Sequence, residues 1–116
     1  MPRHDLAVAG RVGLAEARRA LAAAVPETDF QRTVTEMAER FGWLVYHTYD
    51  SRRSAPGFPD LVLVRPPRVL FAELKSEHGR VTTPQEAWLK ALGACDGVEA
   101  HLWRPSDSAG IEGVLR

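Results

Sequence analysis

Cysteine occurs once in this chain, at Cys95, so no disulfide can form within it. One thiol and four scattered histidines make no cysteine-rich zinc site either. A reducing cytosol is therefore the expected setting. Net charge is also lacking: Lys+Arg 15 against Asp+Glu 15 leaves a formal balance of zero. Any contact with nucleic acid then has to come from a local basic patch rather than from bulk charge. No apolar run reaches the roughly 20 residues that cross a bilayer, because a charge or a proline interrupts each one. No glycine-rich phosphate cradle is present, which leaves nucleotide hydrolysis and a nucleotide cofactor without support. Lysine is almost missing: Lys75 and Lys90 are the only two, and arginine serves as the default cation.

What is there is one ordinary domain of 116 residues, with 45% hydrophobic and 26% charged residues, neither disordered nor fibrous. Residues 1–26 form a leader rich in Ala and Arg, and Leu14 to Ala24 reads as a short surface helix rather than an organellar transit peptide. Residues 27–116 carry the patterned domain. Thr28-Asp29-Phe30-Gln31 has the form of a capping box, and Phe30, Val34, Met37, Ala38 and Phe41 recur at helical spacing up to Gly42. Trp43 to Thr48, Asp60 to Val64 and Arg68 to Lys75 read as strands, the last two joined at Pro66-Pro67, where a ladder cannot continue. Both of these strands are apolar on each face, which predicts a central sheet covered on both sides. Thr83-Pro84-Gln85-Glu86 is a second capping box, and Trp88, Ala91, Leu92 and Cys95 make the buried stripe of its helix, with Cys95 inert. Val98 to Trp103 is a last strand and Asp107 to Leu115 a closing helix. The fold class is thus α/β, in the order αβββαβα.

A hairpin folded about Pro66-Pro67 sets Arg65 against Arg68 and, continuing outward, Asp60 against Glu73. Directly opposed residues have Cβ atoms about 4.5–5.5 Å apart, where two carboxylates repel and favour a cation between them. Hard oxygen ligands of this kind suit Mg²⁺ or Mn²⁺. Lys75 lies two residues beyond Glu73, so strand alternation puts it on the same face. A compact ammonium there can hold a water or a developing phosphorane charge. Singly, each of these residues reads as an ordinary strand-end charge; their convergence is the signal.

Gly57-Phe58-Pro59-Asp60-Leu61, then Phe71-Ala72-Glu73-Leu74-Lys75, then the segment from Ser76 to Trp88 resemble the VRR-NUC branch of the PD-(D/E)XK nucleases, found in phage and bacterial proteins. The resemblance runs from about Glu27 to the end of the chain and includes Gln85, Trp88 and the Gly42-Trp43 strand start. It implies a restriction-endonuclease-like domain with a central mixed four-stranded sheet, acting as a Mg²⁺- or Mn²⁺-dependent DNA endonuclease. In that reading Asp60, Glu73 and the Leu74 carbonyl bind the metal, Lys75 assists the attacking water and Gln85 lines the site. Branched, flapped or four-way-junction DNA and a homodimer are implied in the same way. A first-helix glutamate is also implied, for which Glu27 and Glu36 compete. Counting back two turns from Val34, about 20° of rotation separates it from Glu27, whereas Glu36 lies opposite the buried stripe. Glu27 is the expected residue if the helix starts ahead of Thr28, with Pro26 in its first turn; if Thr28 is the cap, Glu27 is only a loop residue. Arg52 and Arg53, in the loop entering Gly57, either contact DNA phosphates or form a solvated pair. His47 reads as a packing residue, and Trp43, Trp88 and Trp103 as core.

Overall fold

The structure is a computed structural model describing residues 3–49 and 54–116, with side chains described from residue 13 onward. Helix α1 spans Arg3–Ala24, and α2 spans Glu27–Arg40. Four strands follow: β1 Leu44–His47, β2 Leu61–Arg65, β3 Arg68–Leu74 and, after helix α3 at Thr83–Gly93, β4 Val98–Trp103. A 3₁₀ turn at Pro105–Asp107 leads into α4 at Ser108–Leu115.

Helix α2 begins ahead of the expected Thr28 box. Pro26 is its N-cap, and Phe30 donates the first helical hydrogen bond to the Pro26 carbonyl at 3.0 Å. Proline fixes its own φ and lacks the N–H that a first turn leaves unpaired, so it starts the helix without a side-chain cap bond. The far end behaves as the sequence indicates: Gly42 takes φ +87°, and Trp43 and Gly42 donate to the carbonyls of Ala38 and Glu39. This is a Schellman closure.

The sheet runs β1-β2-β3-β4, antiparallel except for the parallel β3/β4 pair. Mixed order of this kind follows from the hairpin joining β2 to β3 and the α3 crossover joining β3 to β4. Leu61, Leu63, Leu70, Ala72 and Leu74 share one face and are wholly buried against Phe30, Val34 and Ala38 of α2 and Ile111 and Leu115 of α4. Trp43 and Trp103 complete this core, the Trp43 indole donating to the Leu115 carbonyl at 2.8 Å. Helix α3 lies against β3 and β4 on the other face, where Val62, Val64, Val69 and Phe71 are half-buried. Trp88 is half-buried rather than core, and Ala91 and Cys95 are exposed. The expected stripe fails at its end because α3 stops at an Ala94 cap, so Cys95 lies past the last turn.

Candidate metal centre

The site is built where β2 begins and β3 ends. Register pairs Arg65 with Arg68 and runs outward to Leu61 opposite Ala72, so Asp60 and Glu73 are the next pair, as the hairpin symmetry requires. Asp60 is held in place by its own backbone and side chain. Its carbonyl accepts from the Thr48 N–H at 2.9 Å, and its Oδ2 accepts from the Leu74 N–H at 2.8 Å. Pro59 beneath it is buried, and its carbonyl accepts from the Thr48 hydroxyl at 3.0 Å.

Glu73 is 2% exposed, the only buried charged residue among those described. Its Oε1 accepts from Gln85 Nε2 at 3.2 Å, while its Oε2 is buried and has no partner. Burial first, then the neighbouring Asp60 carboxyl, push its carboxyl up to about 8; Glu27 adds to this, and the Lys75 ammonium opposes it. Lys75 is half-buried, its N–H tied to the Trp103 carbonyl at 3.0 Å. Glu27 is exposed in the first turn of α2, and Glu36 is exposed further along that helix.

Gln85 reaches Glu73 because α3 is capped one residue earlier than expected. Thr82, not Thr83, is the N-cap, and Gln85, not Glu86, is its capping-box partner. Pro84 accordingly stands second in the helix. The Thr82 N–H donates to Gln85 Oε1 at 2.9 Å, and the Thr82 hydroxyl accepts from the Gln85 N–H at 3.3 Å. The loop before Asp60 presses on this helix end. Gly57, at φ +84°, comes so near that a Cβ there would lie 2.4 Å from the Pro84 carbonyl carbon and 2.6 Å from Gln85 N. Only glycine permits that approach and that φ together. Trp88 anchors the same loop, its indole donating to the Pro56 carbonyl at 3.2 Å and its ring meeting Phe58 edge-on at 5.1 Å.

Thr82 escaped the sequence reading, although Thr82-x-x-Gln85 carries the same signal as the box that was read. Arg104 escaped it as well. Its Nη1 donates to the carbonyls of Ser76, Glu77 and Gly79 at 2.8, 3.1 and 2.8 Å, pinning the loop that follows Lys75. His47 is half-buried, with the Gln31 amide on its Nε2 and the Tyr49 ring edge-on at 4.5 Å. Arg52 and Arg53 lie outside the described residues.

Two neighbouring carboxylates, one with a buried oxygen that has no hydrogen-bond donor, make an acceptor-rich cluster of the chemistry a hard cation takes, and among the described residues no three His, Cys, Asp or Glu side chains converge on one point. The VRR-NUC domain model matches residues 16–104. This chain belongs to the VRR-NUC family. A solved structure described as a VRR_NUC domain has the same fold at a TM-score of 0.59 and 21% identity, over 77% of this chain and 92% of that one. No match was found among the curated proteins. The VRR-NUC domain is a nuclease-type fold of the PD-(D/E)XK kind, and the mixed four-stranded sheet with its flanking helices is that fold. Among the described residues no helix is long and apolar enough to cross a membrane.

Proposed function

We propose that this VRR-NUC domain is a DNA endonuclease that hydrolyses phosphodiester bonds with Mg²⁺ or Mn²⁺. The observation that carries the reading is Glu73: a carboxylate 2% exposed, with one oxygen unpartnered, in register with a second carboxylate. A buried carboxylate beside a second one is destabilising unless a positive charge joins them.

Asp60, Glu73 and the Leu74 carbonyl would hold the ion. Within an extended strand a residue's N–H and C=O leave on the same side. The Leu74 N–H meets Asp60, so the Leu74 carbonyl leaves toward that carboxylate's side of β3. When bound, such an ion supplies a Lewis acid that makes water nucleophilic at neutral pH and offsets charge on the phosphate. The chain's own groups do the rest. Lys75 presents a point charge that holds the attacking water in line with the scissile P–O bond. Gln85 keeps Glu73 oriented, and Glu27 accepts hydrogen bonds from water on the open side. Arg52 and Arg53 neutralise flanking phosphates. Water oxygen bonds to phosphorus and gives up a proton to solvent, the P–O ester bond breaks, and the departing oxygen takes a proton from solvent.

The resemblance to phage and bacterial VRR-NUC proteins supports branched, flapped or junction DNA as substrate, a homodimer as the acting form and the bacterial or phage-infected cytosol as the setting. End-labelled linear, flapped and four-way-junction DNA, incubated with the purified chain in Mg²⁺, Mn²⁺ or EDTA, tests the reading. Metal-dependent cutting that disappears in Asp60→Asn and Lys75→Ala is expected. Cutting retained by Asp60→Asn would overturn it, and salt-sensitive binding without cutting would assign a non-catalytic DNA-binding module instead.

A further inference from the structure

We propose that Thr82 is a positioning residue for the site: it fixes which end of the Gln85 amide meets Glu73, and so which Glu73 oxygen stays free for a cation. The inference rests on the cation reading above and adds to it a device in the helix cap.

A glutamine amide has a donor end and an acceptor end of nearly equal shape, and either can be turned toward a neighbour. Turned the wrong way, its carbonyl oxygen would face the Glu73 carboxylate and repel it. Thr82 removes that choice. Its backbone N–H claims Gln85 Oε1 at 2.9 Å, which leaves Nε2 as the free end, and Nε2 donates to Glu73 Oε1 at 3.2 Å. Glu73 Oε2 is then the oxygen left without a partner. Capping alone does not require this residue type: a glutamate at the same helix position would accept from Thr82 equally well. It would also bring a further carboxylate against Glu73, so the amide answers the site rather than the helix. The close approach of Gly57 to Pro84 and Gln85 keeps the helix end from shifting to relieve an error.

The chain supplies its own control. Pro26 caps α2 at φ −63°, ψ 149° with no side-chain cap bond, and Thr82 has nearly the same backbone, φ −82°, ψ 160°. Thr82→Pro therefore deletes both the N–H and the hydroxyl while keeping a backbone this protein already uses to start a helix.

The test is Mn²⁺ binding by the full chain, followed by calorimetry and by electron paramagnetic resonance, with far-UV circular dichroism as the check on folding. Thr82→Ser should bind as the unsubstituted chain does. Thr82→Pro and Gln85→Leu should each lose about tenfold in affinity, the scale of outer-shell metal partners. The double variant should be no worse than either single one, because both remove the same contact. Thr82→Ala, which keeps the N–H and loses only the hydroxyl, should bind within about twofold of the unsubstituted chain. Unchanged Mn²⁺ affinity in folded Thr82→Pro, or in Gln85→Leu should the proline variant not fold, would overturn the inference, as would losses that add in the double variant. Asp60→Asn separates the two readings. If it binds Mn²⁺ like the unsubstituted chain, the cation reading itself falls; if it loses Mn²⁺ while folded Thr82→Pro keeps it, only the role of Thr82 falls.

Discussion

Glu73 and Leu74 are neighbours in β3, nearly equally buried at 2% and 0%, and they face opposite ways. Leu74 enters a closed apolar core shared with Leu61, Leu63, Trp103 and Leu115, in which every contact favours the folded chain. Glu73 enters the gap between the sheet and the start of α3 with one oxygen unmatched and its carboxyl pushed up to about 8 by burial and by Asp60. One face of a single strand supplies stability, and the other gives some of it up. A fold keeps such a group where the group has work to do, and the surrounding core makes that tolerable.

The contrast can be broken first on the stable face. Leu63→Ala should lower unfolding free energy by about 2–5 kcal/mol in denaturant titrations, with the midpoint moving and the slope unchanged. At the junction between the faces, Gly57→Ala should lose about 2 kcal/mol, because the new Cβ meets the α3 backbone at a positive φ. On the site face the sign reverses. Glu73→Gln should raise the metal-free melting temperature at pH 8 by about 4 °C, the shift expected from relieving roughly 1 kcal/mol in a domain of this size. The pH dependence follows from the same group. Below the ordinary carboxylate value of 4.5, Glu73 is protonated in folded and unfolded chains alike. Between 4.5 and about 8 the unfolded chain releases a proton that the fold retains, so metal-free stability falls as pH rises through that window. Thermal scans across it should show the decline in the unsubstituted chain and its loss in Glu73→Gln. The smallest effects concern the two helix starts: Thr82→Ala should lose about 1 kcal/mol, whereas Thr28→Ala, at a position that caps nothing, should change stability by under about 0.5 kcal/mol.

The legible parts of this chain were those governed by local rules. Pro66-Pro67 forces a turn, the turn fixes the β2/β3 register, and that register alone puts Asp60 opposite Glu73. The left-handed Gly42 and the sheet with two covered faces follow from glycine geometry and apolar alternation in the same way. The two helix starts are less legible, each for a definable reason. At α2 the sequence offers two starts, a Thr28 cap or an earlier one near Pro26, and the helix takes the earlier, with Pro26 as its N-cap. At α3, Thr82-Thr83-Pro84-Gln85-Glu86 contains two overlapping boxes, and the choice between them lies in tertiary contacts: the bond from Gln85 to Glu73 and the approach of Gly57. Periodicity likewise carried the α3 stripe to Cys95, a residue past the helix end. Arg104 was not legible because its work is done on carbonyls, which no side-chain pattern announces.

The most direct measurement is the melting temperature of the unsubstituted chain and of Glu73→Gln at pH 7 as Mn²⁺ is titrated in. A cation that binds only the folded site must raise the melting temperature in proportion to the logarithm of its concentration once the site is saturated. The account predicts that the unsubstituted chain starts lower and climbs with Mn²⁺, while Glu73→Gln starts higher and stays flat. A chain indifferent to Mn²⁺, or a Glu73→Gln variant that climbs equally, would contradict it.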